Sequence, residues 1–222
     1  MNASAQSTGA SVANINLIKD GKVEVALVQN DIAYYAANGT EMFKDKKVEA
    51  IQGIASLYNE TIQIVTIEGK GIKTVADLKG KRVAVGALGS GTEANARQIM
   101  EIFGITYADI KPQYLSFGEA ANGLKDGNID VAFVTAGAPT AAIQDIAAQH
   151  KVALVSVPAD KAEALIKKYP FYAKQTVKAK TYPTVTADVQ TVAVKAMLVT
   201  SSKVDADLVY KMTKAMYTDL DR

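Results

Sequence analysis

Apolar and polar positions alternate along this chain in two periods, and one phrase built from both appears twice. In "SVANINLIKDG", Val12, Ile15 and Ile18 share a helical stripe that Gly21 closes, and "VEVALVQ" then runs as a short apolar strand. The order returns 106 positions later, where "GEAANGLKDG" is followed by "IDVAFVTA". Lys19-Asp20-Gly21 becomes Lys125-Asp126-Gly127, Val25-Ala26 becomes Val131-Ala132, and Leu27 and Val28 become Phe133 and Val134. Each copy predicts a helix, a glycine in the left-handed C-cap, and a strand entering a buried parallel sheet.

The second copy has a longer preamble. "KRVAVGA" (81–87) predicts a strand, "LGSGT" (88–92) a Gly-rich turn, and "KPQYLSF" a second strand. Between them "TEANARQIMEIFG" predicts a helix with Ala96, Ile99, Met100 and Phe103 on one face and Gly104 at its end. The second lobe is therefore expected to be βαβαβ and doubly wound. Shifting 82–104 back by the repeat distance runs past residue 1, so the first lobe is expected to be incomplete. Only the end of its second strand is expected, at "ASAQS", with Met1 an added or misplaced start and Arg222 a second cut end.

"ETIQIVTI" (60–67) and "QTVAVKAMLVT" (190–200) are too apolar for exposed edges. They read as two hinge strands between lobes, or as ordinary sheet strands. The organisation expected is a partial first lobe over 1–62, a second lobe with a hinge strand over 63–190, and a return strand with a C-terminal helix over 191–222. In that last helix Val204, Leu208, Met212 and Met216 form an i, i+4 stripe read as core packing. Thr74 stands three residues before Asp77, a capping-box start to a short helix that Gly80 ends.

Composition narrows the function classes. Half-apolar content (49%) supports a sizeable core, and 25 basic against 23 acidic residues leave a net charge of +2. The longest basic cluster, "KDKK" at 44–47, contains an acid, so no field for nucleic acid is built. The absence of cysteine excludes disulfides, thiolate metal sites and cysteine nucleophiles. The single histidine, His150, lacks any partner signature, and neither a metal nor a cofactor is expected. No apolar run reaches the roughly 18 residues of a membrane span. Residues 1–11 are small and polar, so the targeting segment of an exported protein would lie outside this sequence.

The candidate chemistry gathers at turns. "GALGSGT" opens a helix with backbone N–H groups and a positive dipole end, to which Ser90 and Thr92 add hydroxyls around Gly91. It reads as an anion site, or as a helix start with Ser90 or Thr92 as N-cap. It is neither a Walker loop nor a dinucleotide fingerprint. Ligands of open parallel sheets bind beyond the carboxyl ends of strands. That selects Gln29, Asn30 and Asp31 after the first copy, and Thr135, Ala136, Gly137 and Pro139 after the second. Asp31 could take an ammonium group, and Asn30 and Asp31 also read as caps of the next helix. Tyr34 and Tyr58 read as cleft lining or as packing. An enzyme would need a paired acid and base, and Asp31 and Glu119 have no histidine or lysine beside them, so no catalysis is expected. An effector-sensing domain of a regulator would normally follow a DNA-binding helix pair, and none is visible in the sequence.

"STGASVANINLIKDGKVEVALVQNDIAYYA", "GIKTVADLKGKRVAVGALGSGT" and "GLKDGNIDVAFVTAGAPTAAI" together resemble the TAXI family of TRAP-transporter solute-binding proteins, some of which are known as immunogenic surface or periplasmic proteins. The resemblance implies an α/β, type II periplasmic-binding-protein fold of two lobes closing on a small solute. It implies an extracytoplasmic receptor for a small carboxylate or an amino acid such as glutamate, with membrane TRAP permease subunits as partners. Carried over by motif, Ser90, Gly91 and Thr92 would hold a carboxylate, and Gln29 to Asp31 and Thr135 to Pro139 would face the solute. Ser11 of "TGAS" and Tyr182 of "TYP" are further transfers. Family members usually open on a Gly-rich segment followed by tyrosines, which this sequence lacks.

Overall fold

The computed structural model describes residues 3–218, so the expectations attached to Met1 and Arg222 lie outside the described residues. The elements, in chain order, begin with α1 (Ser11–Lys19), β1 (Val25–Gln29), α2 (Asn30–Asn38) and β2 (Ile51–Ile67). β3 (Arg82–Ala84), α3 (Gly91–Ile102), β4 (Lys111–Gln113), α4 (Phe117–Lys125) and β5 (Val131–Ala136) follow. The chain continues through α5 (Ala141–Ala147), β6 (Val152–Val155), α6 (Ala159–Lys168), β7 (Ala173–Val177), β8 (Val189–Ser201) and α7 (Ala206–Thr218). The strand order is β1-β8-β2-β5-β3-β4, with β6 on β2 and β7 on β8. The chain divides into two compact units, residues 1–57 with 196–222 and residues 58–195. β2 passes from the first into the second between Leu57 and Tyr58, and β8 returns between Lys195 and Ala196.

The repeated phrase becomes a repeated module, one in each unit. α1 and α4 begin and end 106 residues apart, at Ser11 and Phe117 and at Lys19 and Lys125. Both end alike: Gly21 (φ 66°) and Gly127 (φ 71°) take the left-handed turn that a side chain would strain. Lys22 N–H donates to Leu17 O at 2.9 Å, and Asn128 N–H donates to Gly123 O at 2.8 Å. The strand that follows pairs antiparallel with one long strand, Val25 opposite Thr200 and Val131 opposite Thr66. In both modules that threonine donates its hydroxyl, at 2.7 Å, to the carbonyl of the residue before the strand, Glu24 or Asp130.

These pairings correct part of the expectation that each repeated strand enters a parallel sheet. β1 runs antiparallel to β8, while β5 is antiparallel to β2 on one side and parallel to β3 on the other. An apolar run encodes burial and carries no strand direction. Four local expectations also change. Residues 3–10 carry no strand at "ASAQS" and are exposed, because small polar side chains bury nothing that would hold them to a sheet. Asn30 and Asp31 do not cap α2: Gln29 occupies the N-cap, and the pair forms the first helical turn. Among the described residues of α7 none is buried, so Leu208, Met212 and Met216 form a half-exposed stripe rather than core. β2 starts nine residues earlier than the sequence suggests, at Ile51, because its first half mixes polar with apolar side chains.

In the second unit the sheet is covered on both faces. Ile64, Val83, Val131 and Phe133 pack with Ile99 and Met100 of α3, and Val65, Ala132 and Val134 with Leu124 of α4 and Ile143 of α5. Each of the larger side chains contributes about 1.5–3 kcal/mol by leaving water. In the first unit Ile15 and Ile18 of α1 and Ile32 and Ala36 of α2 are buried with Val28. The covered faces fix the helix starts and strand ends that carry the candidate chemistry.

Candidate functional site

In the second unit the Gly-rich turn delivers α3 to the carboxyl end of the sheet. Ser90 is the N-cap, its Oγ accepting from Glu93 N–H at 3.1 Å. Ser90, Gly91 and Thr92 are all buried, and the first N–H groups of a helix lack intrahelical acceptors. Gly86 makes the approach possible. At φ 102° a Cβ there would stand 2.8 Å from Ser90 Oγ, 2.9 Å from Glu93 N and 2.9 Å from Thr92 Cβ. Glu93, the acid of the first turn, is held aside: its carboxylate accepts from Tyr107 Oη at 2.6 Å and lies 4.0 Å from the Arg97 guanidinium. Burial, with that carboxylate adjoining, pushes the Tyr107 hydroxyl far above its ordinary range.

A buried polar chain ties this helix to the strand end. Thr135 Oγ1 donates to Asn95 Oδ1 at 3.2 Å, Asn95 Nδ2 donates to Tyr172 Oη at 2.9 Å, and Tyr172 Oη donates to Gln98 Oε1 at 2.6 Å. A second network holds the segment after β5. Tyr182, wholly buried, donates its hydroxyl to Gln63 Oε1 and accepts from Thr140 N–H at 2.9 Å. Gln63 Nε2 donates to Thr140 Oγ1 at 2.9 Å, and Thr140 Oγ1 donates to Gly137 O at 2.7 Å. Burial raises the Tyr182 pKa, and the Thr140 N–H opposes that rise.

The first unit has its own strand-end set. Ser11, the first residue of α1, is buried, and its Oγ accepts from Gln29 N–H at 3.1 Å. The preceding Ala10 has φ 82° and ψ −157°, a region that costs a residue with a Cβ about 1–3 kcal/mol. α2 starts where β1 stops, with Asp31 wholly buried and its Oδ1 accepting from Ile32 N–H at 2.9 Å. The helix starts of α1 and α2 thus stand at the same end of β1.

Residues 1–222, the whole chain, match the NMT1-like family. The chain belongs to that family. The relatives of this NMT1-like chain include an Escherichia coli (strain K12) protein named for binding aliphatic sulfonates, 37% identical over 67 residues, or 30% of this chain and 21% of that protein. The crystal structure of the periplasmic aliphatic sulphonate binding protein from Escherichia coli superposes with a TM-score of 0.55 at 15% identity, covering 96% of this chain and 57% of that one. A Listeria monocytogenes protein described as an L-cystine ABC transporter gives 0.56 at 18% identity, over 96% of this chain and 70% of that one. The NMT1-like chain therefore has the type II periplasmic-binding-protein fold, as mixed α/β with an open sheet, and spans about a fifth of the curated relative and just over half of the solved sulphonate-binding chain.

The positions selected from the sequence fall differently in the NMT1-like structure. Thr135, at the end of β5, is joined to α3 through Asn95, and Ser11 is joined to Gln29. Ala136 and Gly137 are half-buried and Pro139 is exposed. Tyr34 and Tyr58 are about half exposed, on α2 and β2. Tyr182 lies in the interior, where it holds the 136–140 segment. Gln63, Asn95 and Tyr172 were not singled out from the sequence, and Gly86 and Thr140 entered only as members of "GALGSGT" and "GAPTAAI". Gln63 had a signal, a lone amide inside the apolar run "ETIQIVTI", and so did Asn95 and Gln98, amides three apart in a helix start. A depression of about 490 Å³ lies elsewhere in the first unit: Lys19, Gly21, Val23, Lys203 and Leu208 line it, at the other end of β1 from Gln29.

Proposed function

We propose that this chain is the solute-binding part of an extracytoplasmic transport receptor, acting by reversible capture and without catalysis. The observation that carries the reading is the start of α3. Its buried N-terminus, with the Ser90 and Thr92 hydroxyls, is pressed against Gly86 and tied through Asn95 to the end of β5. Preorganised N–H groups and hydroxyls at the positive end of a helix suit an oxyanion. Ser90, Gly91 and Thr92 are assigned to that anion, with Thr135, Ala136, Gly137 and Pro139 beside them. Ser11, Gln29, Asn30, Asp31 and Tyr34 form the first unit's strand-end set, in which Asp31 would receive an ammonium group; Tyr58 completes the assignment, and Tyr182 acts only through the 136–140 segment that it holds from the interior.

The motif resemblance supports a small carboxylate or an amino acid such as glutamate, passed to a TRAP permease of the TAXI type. The Escherichia coli relative supports a second reading, an aliphatic sulfonate, which also presents oxygens to a helix N-terminus; the Listeria monocytogenes protein described as an L-cystine ABC transporter supports delivery to an ABC transporter. A thermal-shift titration with glutamate, dicarboxylates and short alkanesulfonates separates them. A ligand at 100 times its dissociation constant stabilises the folded state by about 2.7 kcal/mol. Stabilisation by carboxylates alone supports the first reading, and stabilisation by sulfonates alone replaces it with the second. If no compound in any of these classes shifts the melting curve at millimolar concentration, solute capture by this chain is wrong.

A further inference from the structure

Most buried serine and threonine hydroxyls of this protein are engaged by the protein itself. Among the described residues, Ser11, Thr66, Ser90, Thr135, Thr191, Thr200 and Ser201 are buried, and each bonds to a backbone or side-chain group. Two threonines stand apart. Thr61 is 2% exposed and Thr92 4%, yet neither hydroxyl has a hydrogen-bond partner among the described residues. A buried polar group without a partner is costly, and such groups are rare in folded proteins.

Both belong to the second unit, at the end of the sheet where β5 stops. Thr61 of β2 stands opposite Ala136, the last residue of β5. Residues opposite one another in an antiparallel pair share a face, and successive residues alternate between faces. Ile64 and Phe133 pack with α3, so Thr61 shares the other face with Gln63, Val65 and Val134. Thr92 opens α3 on the first face, and α3 is tied to Thr135 through Asn95. The two hydroxyls thus flank the end of β5 from opposite faces. The acceptors at this strand end on the Thr61 face are in use. Ala136 O accepts from Gln63 Nε2 at 3.4 Å, Gly137 O accepts from Thr140 Oγ1 at 2.7 Å, and Gln63 Oε1 accepts from Tyr182.

We infer that Thr61 is a further solute-binding residue, and that the solute is an anion with a second acceptor oxygen at the far end of its chain, as in a dicarboxylate. One carboxylate meets the start of α3 and the Thr92 hydroxyl; the other accepts the hydroxyl proton of Thr61. The inference rests on the oxyanion reading of Ser90, Gly91 and Thr92, and narrows it. A solute with one polar end reaches Thr92 and leaves Thr61 without a partner. Thr61 is therefore the residue that tells a dicarboxylate from a monocarboxylate, because only the first gives its proton an acceptor.

The test is calorimetric titration of the whole chain with glutarate and pentanoate, acids of equal length that differ in the second carboxylate. The unmodified protein is expected to bind glutarate more tightly. Thr61→Val, which exchanges the hydroxyl for a methyl group, is expected to weaken glutarate by about tenfold or more and to leave pentanoate unchanged. Thr92→Val is expected to weaken both. Without solute, T61V should melt no lower than the unmodified protein, since no bond within the protein is lost. A lower melting temperature would give the Thr61 hydroxyl a structural partner and overturn the proposal. Equal affinity of the unmodified protein for the two acids also overturns it, as does a T61V protein that binds glutarate unchanged or loses both acids alike; each of these leaves the anion site at α3 standing. Binding of neither acid removes the oxyanion reading, and this inference with it.

Discussion

At the scale of single residues, the candidate site depends on a glycine and two hydroxyls. Gly86 has φ 102° and no room for a Cβ. Gly86→Ala is therefore expected to destabilise the second unit by about 2 kcal/mol or more, combining backbone strain with overpacking. Thr92 separates structure from binding. Ser90, not Thr92, bonds to the helix as N-cap. Thr92→Val should thus keep the fold and weaken an anionic solute by about 1–3 kcal/mol, the value of a hydrogen bond to a charged group. Calorimetry that finds unchanged affinity in a folded T92V protein removes Thr92 from the site. Asp130 is a purely structural acid. Arg82 grips it with two side-chain bonds, at 3.0 and 2.5 Å, and with its backbone N–H at 2.9 Å. These bonds hold its pKa at about 2, below the ordinary 3.8. A folded-state pKa lower than the unfolded one gives stability that is present above the unfolded value and lost as pH falls through the folded value. The melting temperature should accordingly drop between about pH 4 and pH 2, and Asp130→Asn should flatten that part of the profile. An unchanged profile in D130N would mean that other carboxylates set the acid limb.

At the scale of elements, the helix, Gly turn and strand module is the unit of construction. The two copies share helix length, the left-handed glycine and a threonine that holds the strand entry from the neighbouring long strand. Since neither Gly21 nor Gly127 has a neighbour that would clash with a Cβ, an alanine there meets backbone strain alone. Gly21→Ala and Gly127→Ala should then each cost about 1–2 kcal/mol, and by similar amounts. Chemical denaturation checks this, and a large inequality would show that the modules are alike in shape but not in energetics. α7 shows the limit of reading an element alone. Its stripe of Leu208, Met212 and Met216 has the spacing of a core helix, yet no described residue of the helix is buried. Periodicity states which side chains share a face, not whether anything lies against it.

At the scale of the whole molecule, the two units should differ in local stability. In the second, β5 is paired on both edges and buried on both faces, whereas β1 in the first has, among the described residues, one partner strand and an exposed Leu27. Local opening is governed by such buried contacts and protected backbone bonds. Amides of residues 25–28 are therefore expected to exchange faster than those of 131–134 in the same protein; equal protection would contradict the difference in cover. The repeated module, the glycines that end α1 and α4, the capping box of Thr74 and Asp77, and the helix begun by "GSGT" are all legible in the order of residues. These are local matters, decided by backbone conformation, short-range hydrogen bonds and the period of apolar residues. Tertiary structure alone decided that β1 and β5 lie antiparallel to β8 and β2 and that Tyr182 turns inward to hold Thr140. It alone decided, too, that Thr135 reaches α3 through Asn95 and that Leu27 is open where Phe133 is closed. Each of those outcomes joins residues tens of positions apart, and a linear pattern of apolar and polar side chains carries neither the direction of a strand nor the identity of what covers it.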